Sequence, residues 1–171
     1  VRLALAWLAA HQSEDGGWNI GRLRTMDSSV APTALAVLAF LAAGHTPTNG
    51  PYQESLTRAV DWLKDQQRKS GRIGEHKYEA ALGLMAMAEL AGMVGEEELR
   101  ERAQGAVRWA ARSQCPAGGW SYEPRTRRND MSVTGWWVMG LKSARAAGLD
   151  VPKGMWRDAH RFVWAMTDKR T

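Results

Sequence analysis

Cysteine is almost absent: Cys115 is the only one in 171 residues. A single thiol cannot close an internal disulfide or supply a cysteine-rich zinc cage, which excludes disulfide scaffolds and zinc-finger-type modules. Phenylalanine and tyrosine are scarce, at two and three. No apolar run reaches the roughly 20 residues of a membrane span. The longest, 30–44, is interrupted by Pro32 and Thr33. Acidic residues are outnumbered 18 to 23, giving a net charge of +5 and a pI near 9.7, a balance that favours anionic partners without naming one. There is no Walker loop, no GxGxxG opening a helix, no GxSxG and no HExxH, so the common phosphate-loop, dinucleotide, serine-hydrolase and zincin signatures are missing. With 44% hydrophobic and 24% charged residues, the chain is neither disordered nor collagen-like, and its length fits one domain or one repeat array. It starts at a valine inside an apolar-periodic segment, which reads as a fragment of a longer protein. The low cysteine content favours a cytoplasmic location.

Tryptophan is in excess, with nine copies, and it reveals an internal repeat. Trp7-Leu8-Ala9-Ala10-His11-Gln12, Trp62-Leu63-Lys64-Asp65-Gln66-Gln67 and Trp109-Ala110-Ala111-Arg112-Ser113-Gln114 superimpose, and Trp164 opens a fourth copy. The four tryptophans stand 55, 47 and 55 residues apart, a period that marks a repeat architecture. After each glutamine come Gly16-Gly17-Trp18, Gly71-Arg72-Ile73 and Gly118-Gly119-Trp120. Each unit reads as two helices. The first is an Ala-rich helix closed by the glycine pair. The second spans 33–43, 78–91 or 134–147, and each closes on an Ala-Gly pair at Gly44, Gly92 or Gly148. Small residues line these second helices, Gly135 and Gly140 among them, so their backbones can approach closely. A bulky change such as Gly140→Phe is expected to block the inner face. No segment alternates with period two. The expected fold class is all-α, in one domain of units 1–50, 51–95, 96–150 and a partial 151–171.

The run Gln-x-x-x-Gly-x-Trp, at Gln12 to Trp18 and again at Gln114 to Trp120, resembles the "QW" signature of squalene and oxidosqualene cyclases. The helix-pair unit is similar to that of protein prenyltransferase β subunits. The segments 33–44, 78–90 and 118–149 resemble bacterial prenyltransferase and squalene oxidase repeat proteins. The resemblance implies helix-pair repeats forming a partial α/α toroid, about half of an α6/α6 barrel, with first helices outside, second helices inside and an apolar cavity. Such an array leaves its end faces open. A homodimer or the remainder of a parent chain is expected to complete the ring.

The chemistry of those families does not carry over. Class II cyclases protonate an alkene with an acid in an Asp-x-Asp-Asp-Thr-Ala run, and the matching stretch here is Asp130-Met131-Ser132-Val133-Thr134-Gly135. Both central acids are replaced, and a serine hydroxyl is too weak an acid for that step. Asp130 and Ser132 read as an N-cap for the following helix. The zinc site of prenyltransferases needs Asp, Cys and His, yet Cys115 has no Asp two residues before it and the four histidines show no paired spacing. No metal, cofactor or catalytic residue is assigned.

Every loop between first and second helix is basic: Arg22 and Arg24; Arg68, Lys69, Arg72 and Lys77; Arg125, Arg127 and Arg128. Equivalent loops of a repeat share one rim. Arg22, Arg24, Arg72, Arg125, Arg127 and Arg128 are therefore candidates for holding a diphosphate, helped by the N-terminal ends of the inner helices. Tyr78, Met85, Met139 and Trp136, with Asp130 and Ser132 at the mouth, are candidate cavity walls, since methionine and aromatic side chains suit a flexible apolar ligand. The same spacing also fits an ordinary packed core. Trp7, Trp62, Trp109 and Trp164 read as scaffold. The expected role is binding of an isoprenoid, prenyl diphosphate or other lipid ligand without a complete catalytic set. The alternative is a non-enzymatic module for a peptide or protein partner. Nucleic acid is not expected, because no recognition motif accompanies the charge.

Overall fold

A computed structural model describes residues 1–19, 30–122 and 128–167. Among these residues the secondary structure is helical, with isolated bridges and no strands. The helices are α1 (Arg2–Ala10), α2 (Val30–Ala42), α3 (Gln53–Asp65), α4 (Lys77–Val94), α5 (Glu97–Ser113), α6 (Met131–Ala146) and α7 (Lys153–Met166). Helices α2, α4 and α6 lie side by side with α4 in the middle, and the odd-numbered helices pack against them. This is the packing of helix pairs, consistent with part of an α/α toroid.

Composition explains the division. Helices α3, α5 and α7 bury only one stripe, such as Leu56, Ala59, Val60 and Leu63 in α3, as amphipathic surface helices do. Helix α4 is buried on nearly all sides, through Ala80, Leu82, Leu84, Met87, Leu90 and others. Small residues set the spacing of the inner layer. A Cβ on Gly140 would lie 3.0 Å from the Ala81 carbonyl oxygen and 3.4 Å from the Met85 amide, so α6 approaches the backbone of α4 at this point. Gly140 is thus buried between helices, and not on the open inner face as expected. Gly135, one turn and a half earlier in α6, has open space before it.

The turns after α1, α3 and α5 are built alike. Ser13, Arg68 and Cys115 each donate an amide to the carbonyl four residues on, at 2.8–2.9 Å, and each accepts from Gly16, Gly71 or Gly118. Those glycines have φ between +88° and +97°, a region where side chains are strained. Each also abuts the next odd-numbered helix. A Cβ would sit 2.6 Å from the Arg58 carbonyl oxygen, 2.1 Å from that of Gly105 and 2.2 Å from that of Asp158. The glutamine amides close the joint. Gln12 Nε2 donates to the carbonyls of Gly16 and Ser55, Gln67 Nε2 to those of Gly71 and Arg102, and Gln114 Nε2 to those of Gly118 and Met155. The first helices end just before or at these glutamine positions rather than at the glycines. The glycines serve the contact between neighbouring pairs.

The second helices differ from the sequence reading at several boundaries, α2 already being helical at Val30, three residues before Thr33. Helix α4 runs through Gly92 and stops at Gly95, which takes φ +75°, because Gly92 meets the Cβ of Ala147 across the α4–α6 interface. Helix α6 starts at Met131, one turn before Thr134, once Asp130 caps it. The terminal tryptophans also depart from expectation. Trp62 lies on Gly17 and donates to Asp15 Oδ2 at 3.0 Å, and Trp109 tilts against Trp137. Trp7 and Trp164 are 58% and 60% exposed, because α1 and α7 have a neighbouring pair on one side only within this chain.

Candidate functional site

The junction of the third turn with α6 is built around a cluster of tryptophans. Trp120 and Trp137 are fully buried and stack at 5.6 Å, with Trp109 against the other face of the cluster. The Trp120 indole donates to the Ala110 carbonyl at 3.1 Å and its amide to Thr134 Oγ1 at 2.9 Å. The first turn repeats this arrangement, with Trp18 donating to the Leu8 carbonyl and to Thr33 Oγ1. Sequence reading missed Thr33 and Thr134 as structural partners. Their signal was present, a threonine 15 or 14 residues after each of these tryptophans. The second turn has Ile73 instead, over Gly83, and its side chain has no indole N–H to satisfy.

At the N-terminus of α6, Asp130 Oδ1 accepts from the Val133 amide at 2.9 Å and from Ser132 Oγ at 2.5 Å. Tyr122 Oη lies 3.3 Å from Ser132 Oγ. The Ser132 hydroxyl, then the backbone amides, hold the Asp130 carboxyl below the usual carboxylate range. Asp130 is therefore an anionic cap at neutral pH, not a proton donor. The Tyr122–Ser132–Asp130 chain is exposed and offers hydroxyl groups at the edge of the inner layer.

Tyr78 and Trp136 face each other edge-on across α4 and α6, with centroids 6.2 Å apart. Both are half-buried, as is Met85, and Met139 is 47% exposed. With Ser132 and Gly135 they form the less buried stripe of the two helices, opposite the buried Val133, Trp137 and Leu141. The sequence-selected wall residues thus share one face rather than fill the core.

The candidate basic rim is described only in part. Arg22, Arg24, Arg125 and Arg127 lie outside the described residues. Arg72 is ion-paired with Glu75 at 3.1 Å, and Arg68 also pairs with Glu75. A diphosphate at Arg72 would compete with that carboxylate. Arg128 is exposed, and its carbonyl faces the Cys115 thiol. Lys77 is 5% exposed and donates to the Ser113 carbonyl at the end of α5, 3.0 Å away. Burial pushes its ammonium below the ordinary lysine value. Lys77 is a tie between α4 and α5, and Cys115 beside it is buried.

Among the described residues no three His, Cys, Asp or Glu side chains gather so as to hold a metal ion. Likewise no helix there is long and apolar enough to cross a membrane.

Comparison with known proteins gives partial matches. Residues 1–84 match the family described as squalene-hopene cyclase C-terminal domain. The chain is 31% identical over 87 residues to squalene–hopene cyclase of Zymomonas mobilis subsp. mobilis, covering 46% of this chain and 12% of that protein. It is 30% identical over 89 residues to a probable squalene–hopene cyclase of Sinorhizobium fredii, covering 47% of this chain and 13% of that protein. The matches thus span about an eighth of those relatives' length. The family match takes in the first turn and stops inside α4, leaving the Trp120–Thr134 junction outside it. This partial, low-identity homology supports a relation to the general cyclase and prenyl-related proteins without singling out a subfamily.

Proposed function

We propose that this chain is an isoprenoid-handling helical repeat domain that binds a prenyl chain or prenyl diphosphate and lacks a complete catalytic set of its own. The observation that carries the reading is the stripe of Tyr78, Met85, Trp136 and Met139 on the inner helices. Polarizable, adaptable side chains around an aromatic pair suit a flexible hydrocarbon. The Tyr122–Ser132 hydroxyls stand at one end of that stripe, the end that suits the polar head of the ligand. Asp130 is held as a carboxylate, and Ser132 and Val133 occupy the places of the two central acids, so protonation of an alkene falls to no group in this stretch. A second copy of the chain, or the rest of a longer one, closes the cavity over the ligand.

Titration with farnesyl diphosphate and with farnesol, followed by Trp fluorescence, tests this. Both should bind wild-type protein, and Gly135→Phe, which fills open space on the stripe, should weaken both about tenfold or more. Unchanged affinity for farnesol in that variant would count against the inner face.

One observation favours a second reading, a docking module for a protein partner. A groove of about 670 Å³ lies at the α1–α2 end, lined by Trp7, Leu8, His11, Trp18, Pro32 and Leu35. An apolar groove at the end of a helical array is where another helical unit stacks.

A further inference from the structure

A concentration of positive charge lies on the outer wall, away from the inner stripe. The turn Arg68-Lys69-Ser70-Gly71 and the facing side of α5 enclose a cleft of about 500 Å³. Lys69, Arg108 and Arg112 line it without an ion-pair partner among the described residues, alongside Arg68 and Arg102, which are ion-paired, and the carboxylates Glu98 and Glu101. Arg112 is positioned by a hydrogen bond to the Ser70 carbonyl. Arg102, at the back, is paired with Glu98 and also donates to the Lys64 carbonyl.

The floor of the cleft is Gly105, inside α5. Glycine in a helix interior is disfavoured against alanine, and neither backbone conformation nor packing requires it here. Its φ is not in the left-handed region. An added Cβ would meet nothing closer than Gln67 Nε2 at 3.6 Å, an ordinary contact. At the corresponding joints of the other two turns the facing residues are Arg58 and Asp158, which carry long or charged side chains. The turns differ too: the partners of Arg68-Lys69-Ser70 are Ser13-Glu14-Asp15 and Cys115-Pro116-Ala117. Charge and open space therefore coincide at one joint of three congruent ones, and the fold demands neither.

We propose that this cleft binds a multiply charged anion of the phosphate class, with Lys69 and Arg108 gripping it and Arg112 held ready by Ser70. Guanidinium groups suit phosphate oxygens through paired N–H donors. The same chemistry is presented by a soluble polyphosphate and by an anionic lipid headgroup. None of these residues belongs to the inner stripe, so the site stands or falls independently of the isoprenoid reading.

The probes are inorganic pyrophosphate, titrated by calorimetry, and vesicles of phosphatidylcholine with and without phosphatidic acid, scored by flotation. Pyrophosphate should bind wild-type protein, and more weakly as salt rises. The Lys69→Ala/Arg108→Ala double variant should weaken binding about tenfold or more, with an unchanged melting curve because both side chains are exposed. Gly105→Glu, which sets a carboxylate in the cleft, should do the same. The charge-matched control Arg2→Ala/Lys153→Ala should retain binding. Flotation with phosphatidic acid that pyrophosphate reverses and the double variant loses would assign the same cleft to a headgroup. The proposal is overturned if neither probe binds, if the double variant binds as wild type does, or if the control pair loses as much affinity.

Discussion

Thr134 and Trp120 exchange two hydrogen bonds: the Trp120 amide donates to Thr134 Oγ1 at 2.9 Å, and that hydroxyl lies 3.3 Å from the Trp120 carbonyl. Both residues are fully buried. One hydroxyl therefore gives the buried Trp120 amide its acceptor and joins an irregular turn to the first turn of α6, while the Trp120 carbonyl also accepts from the Asp130 amide at 2.7 Å. Thr134→Val keeps the shape and removes both bonds. It should destabilise the protein by about 1–3 kcal/mol in chemical denaturation, the cost of the buried Trp120 amide left unpaired, whereas Thr134→Ser should recover most of that loss.

Asp130 gives a pH-dependent counterpart at the same helix start. Its folded pKa lies below the unfolded value, so its contribution is fully present above the ordinary aspartate range. It is lost as pH falls through the lowered folded value. Asp130→Ala should cost about 0.5–2 kcal/mol at neutral pH, as loss of an N-cap does. Denaturation followed from pH 7 into strong acid should show the wild type and Asp130→Ala converging as the carboxylate protonates. A gap that stayed constant into strong acid would contradict the assignment of the cap to the ionised form.

The helix pairs were legible because the tryptophan period and the Gln-to-Gly offset are properties of the chain itself. The roles of individual residues were legible only where the local pattern settles them. Gly44, Gly92 and Gly148 look alike in sequence, each after an alanine. Gly44 and Gly148 take positive φ, while Gly92 stays helical against Ala147. What separates them is a neighbour more than 50 residues away. Lys77 reads as one more cation on a basic loop, yet α5 covers it, and the carbonyls at the end of that helix give its ammonium a reason to be there. Tyr78, Met85, Trp136 and Met139 were picked from residue type and periodicity, and α4 and α6 carry them on their less buried face. The outer cleft was not, because its cations come from two segments of the chain, Lys69 on one and Arg108 and Arg112 on the other, joined only by the folded turn.

Glycines that look interchangeable should separate cleanly on substitution. Gly105→Ala and Gly135→Ala add a methyl where nothing is crowded and remove backbone freedom from the unfolded chain. Each should stabilise by about 0.5–1 kcal/mol. Gly140→Ala must displace the α4 backbone from 3.0 Å and should destabilise the protein. Gly118→Ala should be worst, since it combines φ +97° with an approach of 2.2 Å to the Asp158 carbonyl oxygen. Thermal melts of the four variants rank them in one experiment.

Gln114 is the side chain through which α7 is tied to the third turn, by bonds of 2.7 Å to the Gly118 carbonyl and 3.0 Å to the Met155 carbonyl. Helix α7 buries little else, chiefly Met155, Ala159 and Phe162. In α3, by contrast, Gln12 has additional help from Arg58, and α5 is held by Lys77 and Arg102 as well. The same substitution should therefore act differently along the array. Gln114→Leu should cost about 1–3 kcal/mol locally and speed hydrogen exchange across α7 while leaving α2 and α4 protected. Gln67→Leu should lower global stability without selectively releasing α5, because its remaining ties keep that helix docked. Equal loss of protection in both helices would mean that Lys77 and Arg102 do not hold α5 once its glutamine bridge is gone, whereas no loss in either would mean that the bridges are redundant with apolar packing and that the turn glycines set the contact between neighbouring pairs.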